Sequence, residues 1–263
     1  MRERMNQNEN TRLGSDENAR PTRFSYDSKY FERYLQKGKF SGRLTGDKRA
    51  HHKFWISYLK KRMPASARIL EAGCGLGFFG RQVQKEFWYV GLDISPDALI
   101  YARDINGMNI PVSGEAGSLP FKDRSFNGVV AFDVVEHLVN PDLFFHEARR
   151  VLKPRGLLVL TTPNISSFGN KVKRTSEALT PAMDTDASHV SLLSTETWIK
   201  RISETKLVIE EMGTDTLWDL PYSNRIPMTL QKAALIPFNL LVSRLFGFLT
   251  WRQGENLVIV ARS

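Results

Sequence analysis

One short stretch constrains the fold more than any other: residues 69–77 read ILEAGCGLG, an apolar strand that runs into glycines at alternate positions. A second apolar stretch, residues 88–93, ends in an acid, Asp93. Glycine is required where a chain turns sharply from strand to helix beside a ligand, because a Cβ atom would collide there. A carboxylate at the tip of the second strand can accept hydrogen bonds from both hydroxyls of a ribose. The pattern therefore predicts the first half of a nucleotide-binding α/β sheet.

Strand and helix patterns alternate along the remaining chain. The predicted strands cover residues 68–72, 88–93, 110–113, 128–133, 156–162, 207–212 and 256–261. The predicted helices cover residues 78–86, 96–106, 141–152 and 194–203. Ser95 is a suitable N-cap for the second helix, and Pro96 suits its first turn. This alternation predicts a doubly wound, mostly parallel α/β sheet of seven strands, with ligands bound at the carboxyl ends of the strands.

The glycine stretch fits two registers. Residues 75–80 match the G-x-G-x-x-G pattern, which would indicate an NAD- or FAD-dependent oxidoreductase. Residues 71–77, in the pattern E-x-G-x-G-x-G, resemble the first motif of the class I S-adenosylmethionine-dependent methyltransferases. Further stretches resemble that family's remaining motifs in the expected order: VSGEAGSLPF, FNGVVAFD, VVEHLVNP, EARRVLKPRG and LLVLTTPN. The likeness is closest to the small-molecule branch that includes the quinone-biosynthesis methyltransferases, and it is strong over 65–164 and weak over 190–213 and 254–262.

The resemblance implies a Rossmann-like fold whose last strand lies antiparallel between the fifth and sixth strands. It implies S-adenosylmethionine as the cofactor and a small or lipid-like acceptor, with oxygen favoured over nitrogen and carbon as the methylated atom. It places Glu71 near the amino-acid end of the cofactor, Asp93 on the ribose and Ile94 beside the adenine. The full set of implied cofactor contacts is Glu71, Gly73, Cys74, Gly75, Gly77, Asp93, Ile94, Glu115, Ala116 and Asp133. A non-catalytic module that keeps the cofactor fold is the other alternative.

Two titratable residues, Glu136 and His137, directly follow the predicted transfer site at Asp133. Histidine titrates near neutral pH and can accept a proton from a hydroxyl, whereas an exposed glutamate is already ionised and is a weaker base. Both residues are therefore candidate catalytic bases, although the same pair could instead cap or orient the following helix. His189 is a further candidate, as a substrate contact, and no metal ligand is predicted.

The chain contains a single cysteine, Cys74, so a disulfide within the chain is impossible. Its place inside the glycine turn favours a small residue that faces the ligand over a nucleophile, which would need a histidine partner. The first ten residues, MRERMNQNEN, lack the apolar stretch of a signal peptide, and this favours a cytoplasmic protein.

All of the net positive charge lies at the N-terminal end. Residues 1–62 contain 16 Lys/Arg and 7 Asp/Glu, whereas residues 63–263 contain 21 of each. We predict a disordered tail over 1–24, a basic and aromatic cap over 25–62 and a methyltransferase domain over 63–263. The helical spacing of aromatic residues near 54–59 favours a cap helix that packs on the sheet.

The basic cap also allows a second interpretation, in which it attracts a phosphorylated acceptor, an acidic carrier protein or an anionic membrane surface. Within this cap, Tyr30 is a candidate substrate contact. Nucleic acid is not predicted as a partner, because no RNA- or DNA-reading module is legible.

Two insertions, 165–193 and 215–253, do not belong to the minimal sheet, and we expect them to determine which acceptor is used. The first is polar and is predicted to be a mobile loop over the pocket. The second reads as a pair of short apolar helices interrupted by Pro227 and Pro237, too short to span a bilayer. These helices would form either a buried cap over a hydrophobic substrate or an interfacial membrane helix. Neither the acceptor nor the oligomeric state follows from the sequence.

Overall fold

The computed structural model describes residues 46–175, 179–245 and 252–263. The predicted tail 1–24, the candidate substrate contact Tyr30 and the first part of the basic cap lie outside the described residues.

A single seven-stranded sheet carries the fold, as the alternation of strands and helices predicts. Its strands are β1 (Arg68–Ala72), β2 (Trp88–Asp93), β3 (Pro111–Ser113), β4 (Phe126–Phe132), β5 (Leu152–Pro163), β6 (Val208–Thr214) and β7 (Asn256–Arg262). The strand order is β3-β2-β1-β4-β5-β7-β6. Strand β7 is antiparallel to both of its neighbours, and the other pairs are parallel. The expected antiparallel last strand between the fifth and sixth is thereby confirmed.

Helices cover both faces of this sheet. They are α1 (Gly46–Arg62), α2 (Gly80–Val83), α3 (Pro96–Asp104), α4 (Pro141–Val151), α5 (Phe168–Arg174), α6 (Thr195–Glu204) and α7 (Met228–Leu245). Ser95 caps α3 by accepting a hydrogen bond from Ala98 N, as predicted. Helix α2 is shorter than the predicted 78–86, and Gln84 just beyond it bonds through its side chain to Gly107 O and Asn109 N. Hydrogen-bonded turns continue beyond the helix as far as Phe87, whose N–H donates to Val83 O.

The second insertion differs from its prediction. Residues 228–245 form one helix, α7, with Pro237 inside it, rather than two helices separated at that proline. A proline removes one helical hydrogen bond and kinks a helix, but it does not end the helix where the flanking residues are good helix formers. The first insertion is also more ordered than a loop, because it contains α5 and a 3-10 turn over Ala182–Thr185.

Helix α1 contributes to the main core. Trp55 and Leu59 are fully buried, and they belong to one apolar cluster with Ile69 of β1 and Val159 of β5. The aromatic spacing near 54–59 therefore does mark a helix that packs on the sheet. Helices α4 and α6 bury their apolar sides against the opposite face. The boundary at residue 62 between cap and domain stays a prediction.

We expect Trp55→Ala to lower the free energy of unfolding by about 3–5 kcal/mol, because it leaves a large cavity between α1 and the sheet. Lys53→Ala, an exposed position on the same helix, is the matched control and should change stability by less than about 0.5 kcal/mol. Urea unfolding of both variants measures the difference. If the Trp55→Ala and Lys53→Ala variants had equal free energies of unfolding, α1 would not contribute to the core of the sheet.

Candidate active site

The glycine turn after β1 is held directly against β2. Both Gly73 N and Cys74 N donate hydrogen bonds to Leu92 O, at 2.7 and 2.9 Å. Gly73, Gly75 and Gly77 all adopt positive φ angles, of 73°, 50° and 76°. Side chains other than glycine rarely adopt this conformation, which explains why glycine recurs at alternate positions.

Close packing adds a second requirement for glycine. A Cβ atom on Gly73 would lie 2.4 Å from Val134 Cγ2, and one on Gly77 would lie 2.7 Å from Ala102 Cβ. The turn is therefore pressed against the segment that follows β4 on one side and against α3 on the other. The first contact places Val134, which directly precedes the 3-10 turn over Val135–His137, beside the glycine turn.

Asp93, at the carboxyl end of β2, anchors the turn. Its Oδ2 accepts a hydrogen bond from Gly75 N at 2.7 Å, and its Oδ1 accepts one from Ser95 N at 2.9 Å. Burial raises the pKa of this carboxyl, and the backbone N–H groups oppose that rise. Sequence reasoning predicted a ribose contact here but missed this bond to the turn, which depends on a tight three-dimensional turn rather than on residue types.

Glu71 lies under the turn and is buried. Tyr89 donates a hydrogen bond from its hydroxyl to the Glu71 carboxyl. Burial raises the pKa of Glu71 to about 8, with the Tyr89 hydrogen bond acting in the opposite direction and the nearby Asp93 adding to the rise. Without a bound cation, Glu71 is therefore mostly protonated at neutral pH.

The side chain of Cys74 does not face the ligand side as expected. It belongs to the apolar core cluster, and its Sγ atom would lie 2.9 Å from a Cβ placed on Gly91 of β2. Burial raises the pKa of the thiol well above its usual range. A nucleophilic role is thereby disfavoured, and any contact of Cys74 with a ligand would come from its backbone.

The remaining predicted cofactor residues lie at the same edge of the sheet. Ile94 follows β2 and is 39% exposed. Ala116 is buried and Glu115 is exposed, on the turn after β3. Asp133 follows β4 with a φ of 55°, and Thr161 of β5 donates a hydrogen bond to its carboxylate at 2.8 Å.

Three candidate residues from two distant parts of the chain meet beside Asp133. Glu136 and His137 form part of a 3-10 turn over Val135–His137, and the ring of His189 lies 4.8 Å from that of His137. Backbone hydrogen bonds from Val190 N and Ser191 N to Glu136 O, both 2.9 Å, fix the first insertion on this turn. The sequence named all three residues but could not predict that they meet, because about fifty residues separate them.

Burial shifts the pKa values of Glu136 and His137 in opposite directions. Glu136 is fully buried rather than exposed, and burial, followed by the charge of Asp133, raises its pKa well above the usual range. Neither of its carboxylate oxygens has a hydrogen-bond partner among the described residues, although Thr162 lies near enough to oppose the rise in pKa. Burial, followed by His189, lowers the pKa of His137, which is therefore neutral at neutral pH.

The two insertions are joined by buried polar contacts at the carboxyl edge. Lys173 Nζ of the first insertion lies 2.7 Å from Asp219 Oδ1 of the second, and both side chains are at least 90% buried. Asp219 also accepts a hydrogen bond from Ala182 N at 2.8 Å. Glu255, which precedes β7, accepts hydrogen bonds from Ser167 and Tyr222. The insertions thus form one wall of the site.

Comparison with known proteins identifies this arrangement. Residues 70–160 match the family model described as a methyltransferase domain. An uncharacterized protein of Methanocaldococcus jannaschii is 30% identical over 165 residues, which cover 61% of this chain and 78% of that protein. The chain belongs to the class I S-adenosylmethionine-dependent methyltransferases. Its membership favours the E-x-G-x-G-x-G register over the dinucleotide register.

Two further relatives have named activities. A fatty-acid O-methyltransferase of Mycolicibacterium smegmatis is 34% identical over 36% of each chain. A 2-methyl-6-phytyl-1,4-hydroquinone methyltransferase of Synechocystis is 29% identical over 39% of this chain and 34% of that enzyme. The chain thus spans little more than a third of the length of these enzymes. A methyltransferase structure from Archaeoglobus fulgidus shares the fold, with a TM-score of 0.54 at 18% identity, over 88% of this chain and 99% of that one.

The residues of this methyltransferase fit the cofactor of its family. A positive cofactor suits the buried acids Glu71 and Asp93, because burial raises both pKa values and a nearby positive charge would favour the ionised forms. The exposed Ile94 offers an apolar surface for an adenine, next to the Asp93 carboxylate for the ribose. When bound, S-adenosylmethionine supplies a methyl group on a positively charged sulfur.

We expect Gly77→Ala to weaken S-adenosylmethionine binding by more than tenfold, because both the backbone conformation and Ala102 oppose a Cβ there. Gly107→Ala is the matched control: Gly107 also has a positive φ, of 65°, but nothing lies within 4 Å of its added Cβ. The control should lose about 1–2 kcal/mol of stability and keep its affinity. Calorimetric titration of both variants tests this expectation, which fails if both bind equally well.

We expect S-adenosylhomocysteine, which keeps the ammonium group, to bind more tightly as pH rises from about 6 to about 8. The free protein holds a proton on Glu71 up to a pKa of about 8, and a nearby ammonium favours the ionised form, so binding releases that proton. Calorimetry at pH 7 in buffers of different ionisation enthalpy measures the release. Glu71→Gln, which preserves shape and the Tyr89 contact, should abolish it; equal release by that variant would remove Glu71 from the cofactor site.

Proposed function

We propose that the protein transfers a methyl group from S-adenosylmethionine to an oxygen atom of a small or lipid-like acceptor. One observation carries the proposal: the glycine turn anchored by Asp93 contacts Val134, which directly precedes the 3-10 turn that bears Glu136 and His137. The proposed donor site and a proton-handling group would thus be neighbours, as alignment of donor and acceptor requires.

The cofactor would lie along the carboxyl ends of β1, β2 and β3. Asp93 would accept hydrogen bonds from the ribose, and the backbone of Gly73 to Gly77 would follow the methionine portion. Glu71 would balance the ammonium group. Asp133 would face the transferred methyl group, since it stands at the end of β4 beside the turn. The general-base role of His137 stays a prediction, supported by its neutral state at neutral pH.

A lipid-like acceptor is supported by exposed apolar side chains on the segments that carry His137 and His189. Val139 and Val190, on the two segments joined by the Glu136 backbone bonds, are 69% and 53% exposed. The similar enzymes from Mycolicibacterium smegmatis and Synechocystis are named for a fatty acid and for a phytyl-hydroquinone. These names and this surface favour an acceptor with a hydrocarbon portion.

Helix α7 supports a peripheral contact with an anionic membrane as the route by which such an acceptor arrives. Within the described part of α7, Leu230, Ile236, Leu240 and Leu241 are more than half exposed, which does not fit the predicted buried cap. Among the described helices, none is both long and apolar enough to cross a bilayer. An apolar helix that cannot span a membrane can lie in its interface.

The test is release of S-adenosylhomocysteine by the full chain with a long-chain fatty acid, a prenylated hydroquinone and a short soluble phenol. We expect turnover with a lipid-like acceptor, increased by anionic vesicles at low salt, whereas the soluble phenol should show no vesicle effect. Calorimetry with NADH should show no binding. Cofactor binding without turnover on any acceptor would favour the non-catalytic module, and NADH binding would restore the oxidoreductase alternative.

A further inference from the structure

A possible metal-binding group lies beside Asp133 and consists of Glu136, His137 and His189. Each residue offers one nitrogen or oxygen atom, and these three atoms all lie within 4.8 Å of one another. Atoms that bind one metal ion at 2.0–2.2 Å are about 3–4 Å apart, so small side-chain rotations would bring all three into coordination. The three residues come from two segments that backbone hydrogen bonds hold together, so the grouping is built into the fold.

Of the three residues, Glu136 is the one whose carboxylate lacks a hydrogen-bond partner among the described residues. Glu136 is 0% exposed, and neither carboxylate oxygen accepts a hydrogen bond from any residue that the structure describes. A buried carboxylate without a partner is strongly disfavoured, and native proteins pair such groups or coordinate them to metals.

Both histidines are oriented as metal ligands usually are. His137 Nδ1 lies 3.1 Å from Ser188 O, and His189 Nδ1 lies 2.7 Å from Met183 O. Because a carbonyl oxygen can only accept, each Nδ1 must carry the proton, and each Nε2 then keeps a lone pair. Histidines that bind metals commonly donate their other ring N–H to a backbone carbonyl in this way.

We propose that Glu136, His137 and His189 bind a divalent transition-metal ion at the wall of the methyl-transfer pocket. Two imidazoles and one carboxylate suit ions such as Zn²⁺ and Mn²⁺ and leave coordination positions open for a substrate. This proposal departs from the sequence prediction, which named no metal ligand, because ligands separated by about fifty residues form no local motif.

The proposed ion gives the site a chemical preference, and this part rests on the proposed function. A divalent cation lowers the pKa of a coordinated hydroxyl, so an alcohol or phenol acceptor would lose its proton to solvent. The acceptor oxygen then forms a bond to the methyl carbon while the carbon–sulfur bond breaks and its electron pair stays on sulfur. With the ion bound, the Nε2 lone pair of His137 would be donated to the metal, so the general-base role of His137 would apply only to the metal-free site. A hydroxyl acceptor is therefore favoured over a carboxylate, which needs no deprotonation at neutral pH.

The first experiment measures metal binding alone, on tag-free full-length protein treated with a chelator and then titrated with Zn²⁺ or Mn²⁺. We expect one ion per chain by calorimetry and elemental analysis, with affinity reduced more than about tenfold in both Glu136→Gln and His189→Ala. His146→Ala, at an exposed histidine of α4, is the matched control and should bind as the wild type does. Absent binding by the wild type, or unchanged binding by both site variants, would overturn the proposal.

Two readouts separate this proposal from the proposed function. Glu136→Gln should keep or raise the thermal midpoint of the metal-free protein, because this change removes a buried unpaired acid. If the Glu136→Gln protein does not fold, His189→Ala serves as the second variant. Methyl transfer to a phenol should fall more than tenfold on metal removal and return on adding the ion. Turnover unaffected by the chelator would overturn the catalytic role, whereas metal binding without turnover on any acceptor would count against the proposed function alone.

Discussion

The close approach of the glycine turn to its neighbours is the constraint on which the rest of the site depends. At Gly73 the turn lies against Val134, and at Gly77 it lies against Ala102. A side chain at either position would push the turn away from the residues after β4 or from α3. Asp93 holds the same turn from β2 through Gly75 N. One short piece of backbone therefore contacts the end of β2, the segment after β4 and α3.

The acceptor side depends on a longer chain of contacts. Asp219 in the second insertion bonds to Ala182 N, and Met183 O, one residue further, orients the ring of His189. Lys173 neutralises the buried Asp219. A buried ion pair is weak evidence for stability, but it specifies one arrangement when the alternatives leave a charge unpaired. The polar residues of the insertions thus position the ring of His189 through contacts at some distance along the chain.

Buried acids are concentrated around the pocket. Glu71, Asp93 and Glu136 all have raised pKa values, and burial is the largest cause for each. Such groups are destabilising in an empty pocket and favourable once a cation is bound. On the proposed placement, a sulfonium cofactor with an ammonium group would answer this need for the first two acids, and the proposed metal ion would answer it for the third.

Residue patterns were enough to predict the sheet, its order of elements and the glycine turn, because strand alternation, capping by Ser95 and positive-φ glycines are local properties that residue types report directly. The same patterns named each member of the Glu136, His137 and His189 group. The folded chain was needed to show that these three meet, that Glu136 is buried, that Cys74 packs into the core and that α7 continues through Pro237. Each of these depends on contacts between residues far apart in the chain, and no local pattern encodes such contacts.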